Sequence, residues 1–512
     1  MLFTTVDFLF LFLPATLLTY WGSKRLGYDS LPTYVLIIAS LIFYGWFRWS
    51  YLAIIIFFIV FNYALPFVAQ SVRERWRLWV IRGGIAVDLG ILAFFKYSIF
   101  ILENVTALTG INFAFQGVVL PIGISFFTFQ CIMFVADHKH TRPDVSLRDF
   151  ALYITFFPQL IAGPIVRPWV LLPQIKTRVT DGSASSSAWA AGIMLIAIGV
   201  FKKVAIADQL APYADTVFTK VIHQGMVTSL EAWIGALAFT LQIYFDFSAY
   251  SDIALGLALC FGMHLMLNFN SPYKAGSIIE FWHRWHITLS TFLRDYLYIP
   301  LGGNRKGPAW LYVNLLVTML IGGLWHGAAW NFVIWGGLHG AMLVINHGWR
   351  SMTGSSRDHR NQAYPLIYKL GFWCLTFVCL VVTWVFFRAP DMHTALEMLS
   401  RMVSFRSGYQ AVLPEQEMMW VVSGIFAIFV LLVSTPNSVQ IARALHPRVV
   451  DKESDQKLLT MAKPYRLIMQ YVVSSRFAAP LLAAVSALIV FSVLWKHILS
   501  VQNAVPFIYF QF

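Results

Sequence analysis

The sequence predicts an all-α, polytopic integral membrane protein with eleven to thirteen hydrophobic helices, some of them re-entrant or interfacial, around a central cavity. Three observations carry that prediction. First, 58% of the 512 residues are hydrophobic and only 12% are charged, with a mean hydropathy of +0.67. A soluble domain carries roughly 25% charged residues. Second, apolar runs near the ~20 residues that a bilayer requires recur along the whole length. Third, basic residues cluster in alternate loops, so the net charge of +13 reads as membrane topology rather than as a nucleic-acid surface. One membrane domain over residues 1–512 is expected, with no separate soluble domain.

Candidate spans fall near 2–21, 32–47, 50–70, 83–101, 117–136, 186–204, 229–247, 251–267, 309–325, 328–348, 371–388, 415–435 and 477–497. The opening apolar run has no basic residue before it and no small-residue cleavage site, and Lys24 and Arg25 follow it. It therefore reads as a retained helix rather than a signal peptide. Arg73, Arg75, Arg77 and Arg82 follow the third span, whereas 102–116 contains no Lys or Arg. This alternation predicts an N-terminus outside the cytoplasm. Asp7, Arg82 and Asp88 are the odd polar members of the early spans and are expected near span ends. Four cysteines, all in apolar segments, are too sparse for a disulfide framework or a thiolate metal site.

Two stretches depart from ordinary anchoring helices. In 150–175, Pro158, Gly163, Pro164, Pro168 and Pro173 predict broken backbone, which survives at membrane depth only where protein or a water-filled cavity satisfies it. In LQIYFDFSAYSDIALG, Asp246, Ser248, Tyr250 and Asp252 crowd into otherwise apolar sequence. Two readings stay open there: a helix–loop–helix junction at the interface, or the polar wall of a cavity.

The third unusual stretch is Phe281–Gly327. FWHRWHITLSTFLRDYLY has the pattern of an amphipathic helix lying in the interface. Beyond it, LWHGAAWN joins two spans so tightly that His326 is expected at a kink at membrane depth. An ionisable group there marks a functional site by default. The bland reading is a histidine satisfied by a backbone carbonyl, but His286 and His326 bracket one hairpin-like unit rich in Trp, Arg and Asp. HRWH and HKH are short histidine pairs without the further clusters a di-iron membrane oxygenase needs, so no metal is expected. No nucleophile elbow or phosphate-binding glycine loop is present in the sequence. What remains is histidine as a general base in a dry cavity.

At FFPQLIAGPIVR, QIYFDFSAYSDIALG, FNSPY, FWHRWHITLSTFLRDYLYIPLGGNR, GGLWHGAAWNFVIWGGLHG, WVFFRA and the terminal FIYFQF, the chain resembles the membrane-bound O-acyltransferases. Within them it is most similar to the bacterial alginate O-acetylase type and more distantly to the D-alanyl transfer protein of teichoic acids. Ala249 stands where that subfamily commonly has Gly, and His283 where a non-histidine residue is common. The resemblance implies that His326 is the active-site histidine and His286 the second motif histidine, with Asp246, Trp325, Arg284 and Asn331 as substrate-binding or supporting residues. It implies acetyl transfer from acetyl-CoA or another acetyl thioester on the cytoplasmic side, with no bound cofactor. The acyl group would pass to periplasmic acetyltransferase partners and finally to an exopolysaccharide. A polysaccharide or lipid transporter is the alternative, because broken helices and buried polar groups also suit transport. A transporter of that kind is expected to carry an internal repeat, which the sequence does not display.

Overall fold

A computed structural model describes residues 1–113, 117–137, 145–181, 185–224, 227–353, 365–404 and 413–451, with isolated residues beyond. All regular elements among them are helical. In order they are α1 (Leu13–Arg25), α2 (Leu31–Gly45), α3 (Tyr51–Ser71), α4 (Glu74–Thr109), α5 (Ile124–Ala136), α6 (Leu147–Thr155), α7 (Phe157–Leu160), α8 (Pro168–Asp181), α9 (Ser186–Phe201) and α10 (Asp208–Gln224). There follow α11 (Ser229–Cys260), α12 (Ile278–Trp282), α13 (Ile287–Leu293), α14 (Pro308–His326), α15 (Trp330–Thr353), α16 (Leu366–Arg388), α17 (Met392–Val403), α18 (Glu415–Ser434) and α19 (Ser438–Leu445). π-Helical turns occupy Asp7–Phe12, Lys202–Ala207 and Arg294–Tyr298. Seven of the described helical runs are long and apolar enough to cross a membrane: α3, α4, Ser186–Ile222, α11, α14, α16 and α18. The proposed span at 477–497 lies almost wholly outside the described residues, as does the HKH pair.

The chain forms two compact units. One holds Met1–Phe201, Ala249–Leu267 and Ser438–Gln511. Its core is aromatic: the Phe43 ring lies 5.5 Å from Phe3, 5.8 Å from Phe8 and 5.5 Å from Phe157. Helix α9 meets the late part of α11 backbone to backbone, because a Cβ at Gly192 or Gly256 would press on the other's carbonyl. Asp88 is not at a span end as its sequence context suggested. It is fully buried within α4, 3.0 Å from the Asn62 amide, because the 36-residue helix runs well past the apolar core of the span.

The proline-rich stretch is broken, as its composition required. Between α7 and α8 the chain at 161–167 is non-helical, and Ile161, Ala162, Ile165 and Val166 are buried in protein rather than exposed as a straight helix. Gln174 satisfies another irregular segment by donating to the His264 carbonyl and accepting from the His264 N–H, each at 2.9 Å.

The second unit holds Lys202–Ser248 and Asn268–Asn437. The sequence separates spans at 229–247 and 251–267, but α11 is one uninterrupted 32-residue helix. The interfacial-junction reading of Asp246–Asp252 therefore fails. Charged groups fooled the hydropathy pattern because their partners lie elsewhere in the chain: Asp252 accepts from Ser438 at 2.7 Å and Asp246 pairs with Lys203. The amphipathic helix expected at 281–298 is likewise different. It is split into α12, a turn at 283–286, α13 and a π-turn.

Antiparallel α14 and α15 form the tightest pair in this unit. A Cβ at Gly323 would strike the Phe332 carbonyl, and one at Gly336 would strike the Met319 carbonyl. This contact brings the two backbones close directly below the turn that carries His326.

Candidate active site

His286 begins from an unusual backbone. Its φ of +42° and ψ of +54° place a non-glycine residue in the left-handed region, immediately before α13. Such a residue costs about 1–3 kcal/mol and persists only where its surroundings over-determine it. Here the irregular segment after α11 does so. The Asn270 N–H donates to the Arg284 carbonyl at 3.0 Å, and the Ile287 N–H donates to the Asn268 carbonyl at 2.9 Å. These bonds satisfy backbone that would otherwise be orphaned at depth.

The side chain is fixed by the same segment. His286 Nδ1 lies 2.9 Å from Asn268 Oδ1, which also accepts from the Thr288 hydroxyl at 3.0 Å. An amide oxygen only accepts, so in this arrangement Nδ1 carries the proton and Nε2 is the acceptor nitrogen. His286 is fully buried, with its ring edge-on to Phe247 at 4.8 Å.

His326 is the last residue of α14, and the chain continues extended through Gly327. A Cβ at 327 would collide with the Phe332 ring, so glycine permits the tight return into α15. The His326 ring is 4% exposed and walled by Trp325 at 4.8 Å, Trp335 at 5.0 Å and Phe387 at 5.3 Å. Trp325 also touches His286, with centroids 6.1 Å apart. One indole thus joins both histidines.

The other sequence candidates occupy distinct places. Asp246 Oδ1 lies 2.6 Å from Lys203 Nζ, which is also 2.8 Å from Asp208; all three are buried or nearly so. The neighbouring Phe247 ring packs edge-on against His286. Arg284 donates twice to Glu280 and once to the Asn270 carbonyl, bracing the paired segments beneath His286. Asn331 donates to the Ala389 carbonyl at 2.7 Å, tying the start of α15 to the end of α16. His283 is exposed.

Sequence reasoning did not single out Asn268, Lys203 or His339. A Lys-Lys pair inside the apolar run IGVFKKVAIA was the available signal for Lys203. Asn268 has none, because one buried amide just before FNSPY looks like many others.

The geometry defines a class: a polytopic helical membrane protein with two buried histidines in contact with one indole, His326 at the break between two glycine-packed helices. The chain belongs to the membrane-bound O-acyltransferase family, whose model matches residues 45–387, and it is an acyltransferase. It is 39% identical over 435 residues to the peptidoglycan O-acetyltransferase of Helicobacter pylori, covering 79% of this chain and 80% of that one. It is 43% identical over 414 residues to a probable alginate O-acetylase of Pseudomonas aeruginosa, covering 79% and 75%. The teichoic acid D-alanyltransferase of Streptococcus thermophilus is 26% identical over 253 residues, covering 47% and 60%.

Proposed function

We propose that this protein takes an acetyl group from a thioester donor on the cytoplasmic side of the bacterial inner membrane. It hands the group onward for O-acetylation of an exopolysaccharide by way of periplasmic acetyltransferase partners. His326 is the general base and His286, held by Asn268, orients the reacting groups. Asp246, Trp325, Arg284 and Asn331 support the site. The observation that carries this reading is the burial of two histidines around one indole in a family of acyltransferases.

The chemistry suits such a site. The acceptor hydroxyl oxygen attacks the thioester carbonyl carbon as its proton passes to His326. The carbon–sulfur bond then breaks, and His326 returns the proton to the leaving thiolate, so the products are an ester and a free thiol. A positioned base contributes about 10²–10⁴-fold. The aromatic wall of Trp325, Trp335 and Phe387 keeps out water that would hydrolyse the donor.

His326→Ala tests the reading. It is expected to abolish polymer acetylation while protein accumulates in the membrane at near-normal level, because a lost base removes chemistry and not bundle packing. Normal acetylation in a well-expressed His326→Ala strain overturns it. A second acceptor, peptidoglycan, is favoured by the 39% identity to the Helicobacter pylori enzyme. Measuring which polymer loses O-acetyl groups in a deletion strain separates the two.

A further inference from the structure

Helix α15 carries another buried histidine. His339 is 0% exposed, with its ring 4.7 Å from Trp335, 5.2 Å from Trp282 and 6.1 Å from Phe281. Neither ring nitrogen reaches a hydrogen-bonding partner among the described residues. A neutral imidazole offers one donor and one acceptor, and leaving both unmade in an apolar cage is costly. Phenylalanine would fill the same space without that cost.

The pattern continues along one face of the helix. Trp335 Nε1, Asn346 Oδ1 and Arg350 Nε are also buried and unpartnered among the described residues. Positions 335, 339, 346 and 350 follow helical spacing, so these groups form a file and not a scatter. At one end Asn346 lines a cavity of about 450 Å³ together with Lys274, Glu280, Trp349 and Lys369. At the other end Trp335 packs edge-on against His326 at 5.0 Å. The cavity has a cationic bias: Glu280 is already engaged by Arg284, and burial together with Arg284 holds the Lys274 ammonium below the ordinary lysine value. An anionic group in the cavity would relieve that penalty.

We propose that His339 contacts substrate, hydrogen-bonding the polar arm of the thioester donor as it extends from the Lys274–Lys369 cavity to His326. The ligand class is a thioester with an anionic head and an amide- or hydroxyl-bearing arm. This assignment rests on the acyl-transfer reading above.

The test compares His339→Phe, His339→Gln and Asn346→Leu in cells, scoring polymer acetylation and the melting temperature of the detergent-solubilised protein. His339→Phe is expected to lower acetylation by about tenfold or more, the scale of one lost buried hydrogen bond at a reacting complex. Its melting temperature should hold or rise, because an unmet polar group has been removed. His339→Gln should keep most of the acetylation, and Asn346→Leu should lower it in the same direction as His339→Phe. Wild-type acetylation in His339→Phe overturns the inference, as does a loss that simply follows a fall in melting temperature. Wild-type acetylation in Asn346→Leu, with loss in His339→Phe, overturns the assignment to the donor path. His326→Ala in the same assay keeps the two levels apart: if it is inactive while His339→Phe is normal, this inference fails and the acyl-transfer reading stands.

Discussion

Left-handed backbone at His286 places that ring where a helix would not, and Asn268 holds it there. The pair makes a residue-scale prediction. Asn268→Ala removes the oxygen that His286 Nδ1 and the Thr288 hydroxyl share, and a lost buried hydrogen bond costs about 1–3 kcal/mol. It is expected to lower both acetylation and melting temperature, whereas Thr288→Ala, which leaves the histidine bond intact, lowers melting temperature alone. Equal acetylation loss in the two variants would show that the ring is not what Asn268 positions. Lys203 makes a second case. Its ammonium lies between two carboxylates in a π-turn, and such turns often mark functional sites. Lys203→Met leaves both carboxylates buried without their cation, which costs about 3–5 kcal/mol for a broken buried pair. Accumulation in the membrane should fall sharply. Restoring it by a second change, Asp246→Asn, would show that the buried charge and not the lysine stem was responsible.

At the scale of elements, the apolar runs told where most helices lie, because a span must be long and uncharged to sit in lipid. α3, α16 and α18 fall within a few residues of the expected bounds. The misreadings share one physical cause. α11 looked like two spans because Asp246 and Asp252 interrupt its hydropathy, yet its spanning window is buried throughout and its charges are met from Lys203 and Ser438. The 281–298 stretch looked like a single amphipathic helix because its spacing is helical. It breaks at His286, where Asn268 and Asn270 pair with the backbone on either side, and no local pattern encodes that pairing. The two motif histidines were legible from their setting, while their partners were not, since those contacts bridge distant sequence. Glycine packing gives a test at this scale. Gly336→Ala drives a Cβ into the Met319 carbonyl, which as backbone cannot yield, whereas Gly348 in the same helix faces open space. Gly336→Ala should therefore lower the melting temperature and the membrane level. Gly348→Ala should be neutral or stabilising by about 0.5–1 kcal/mol. Equal behaviour of the two would mean that the α14–α15 contact does not govern this hairpin.

For the whole molecule, the decisive quantity is which side of the membrane each loop occupies, since the proposed reaction takes its donor from one side and delivers to the other. Helix α4 supplies the clearest ruler. At ~1.5 Å per residue its 36 residues measure ~54 Å, longer than the ~30 Å hydrocarbon core. Its two ends must therefore emerge on opposite faces if it crosses. Arg73, Arg75, Arg77 and Arg82 gather at its start, and 102–116 carries no Lys or Arg at its end. By the positive-inside rule the start is expected in the cytoplasm. Hairpin α14–α15 adds an independent constraint, because antiparallel helices bring Lys306 before α14 and Arg350 near the end of α15 to one side. Both ends are basic, so the same rule predicts that they share the cytoplasmic side. In a variant with its native cysteines replaced by serine, Leu108→Cys should react with a membrane-impermeant maleimide in intact cells. Leu108 is 87% exposed and follows the apolar core of α4. Arg75→Cys should react only in inverted vesicles, and so should Lys306→Cys. Labelling of position 75 but not 108 in intact cells would reverse the orientation, and with it the side from which the thioester donor enters. Labelling of 75 and 306 on opposite sides would leave the donor side undefined by charge, so the cavity beside Lys274 could no longer be read as its entrance.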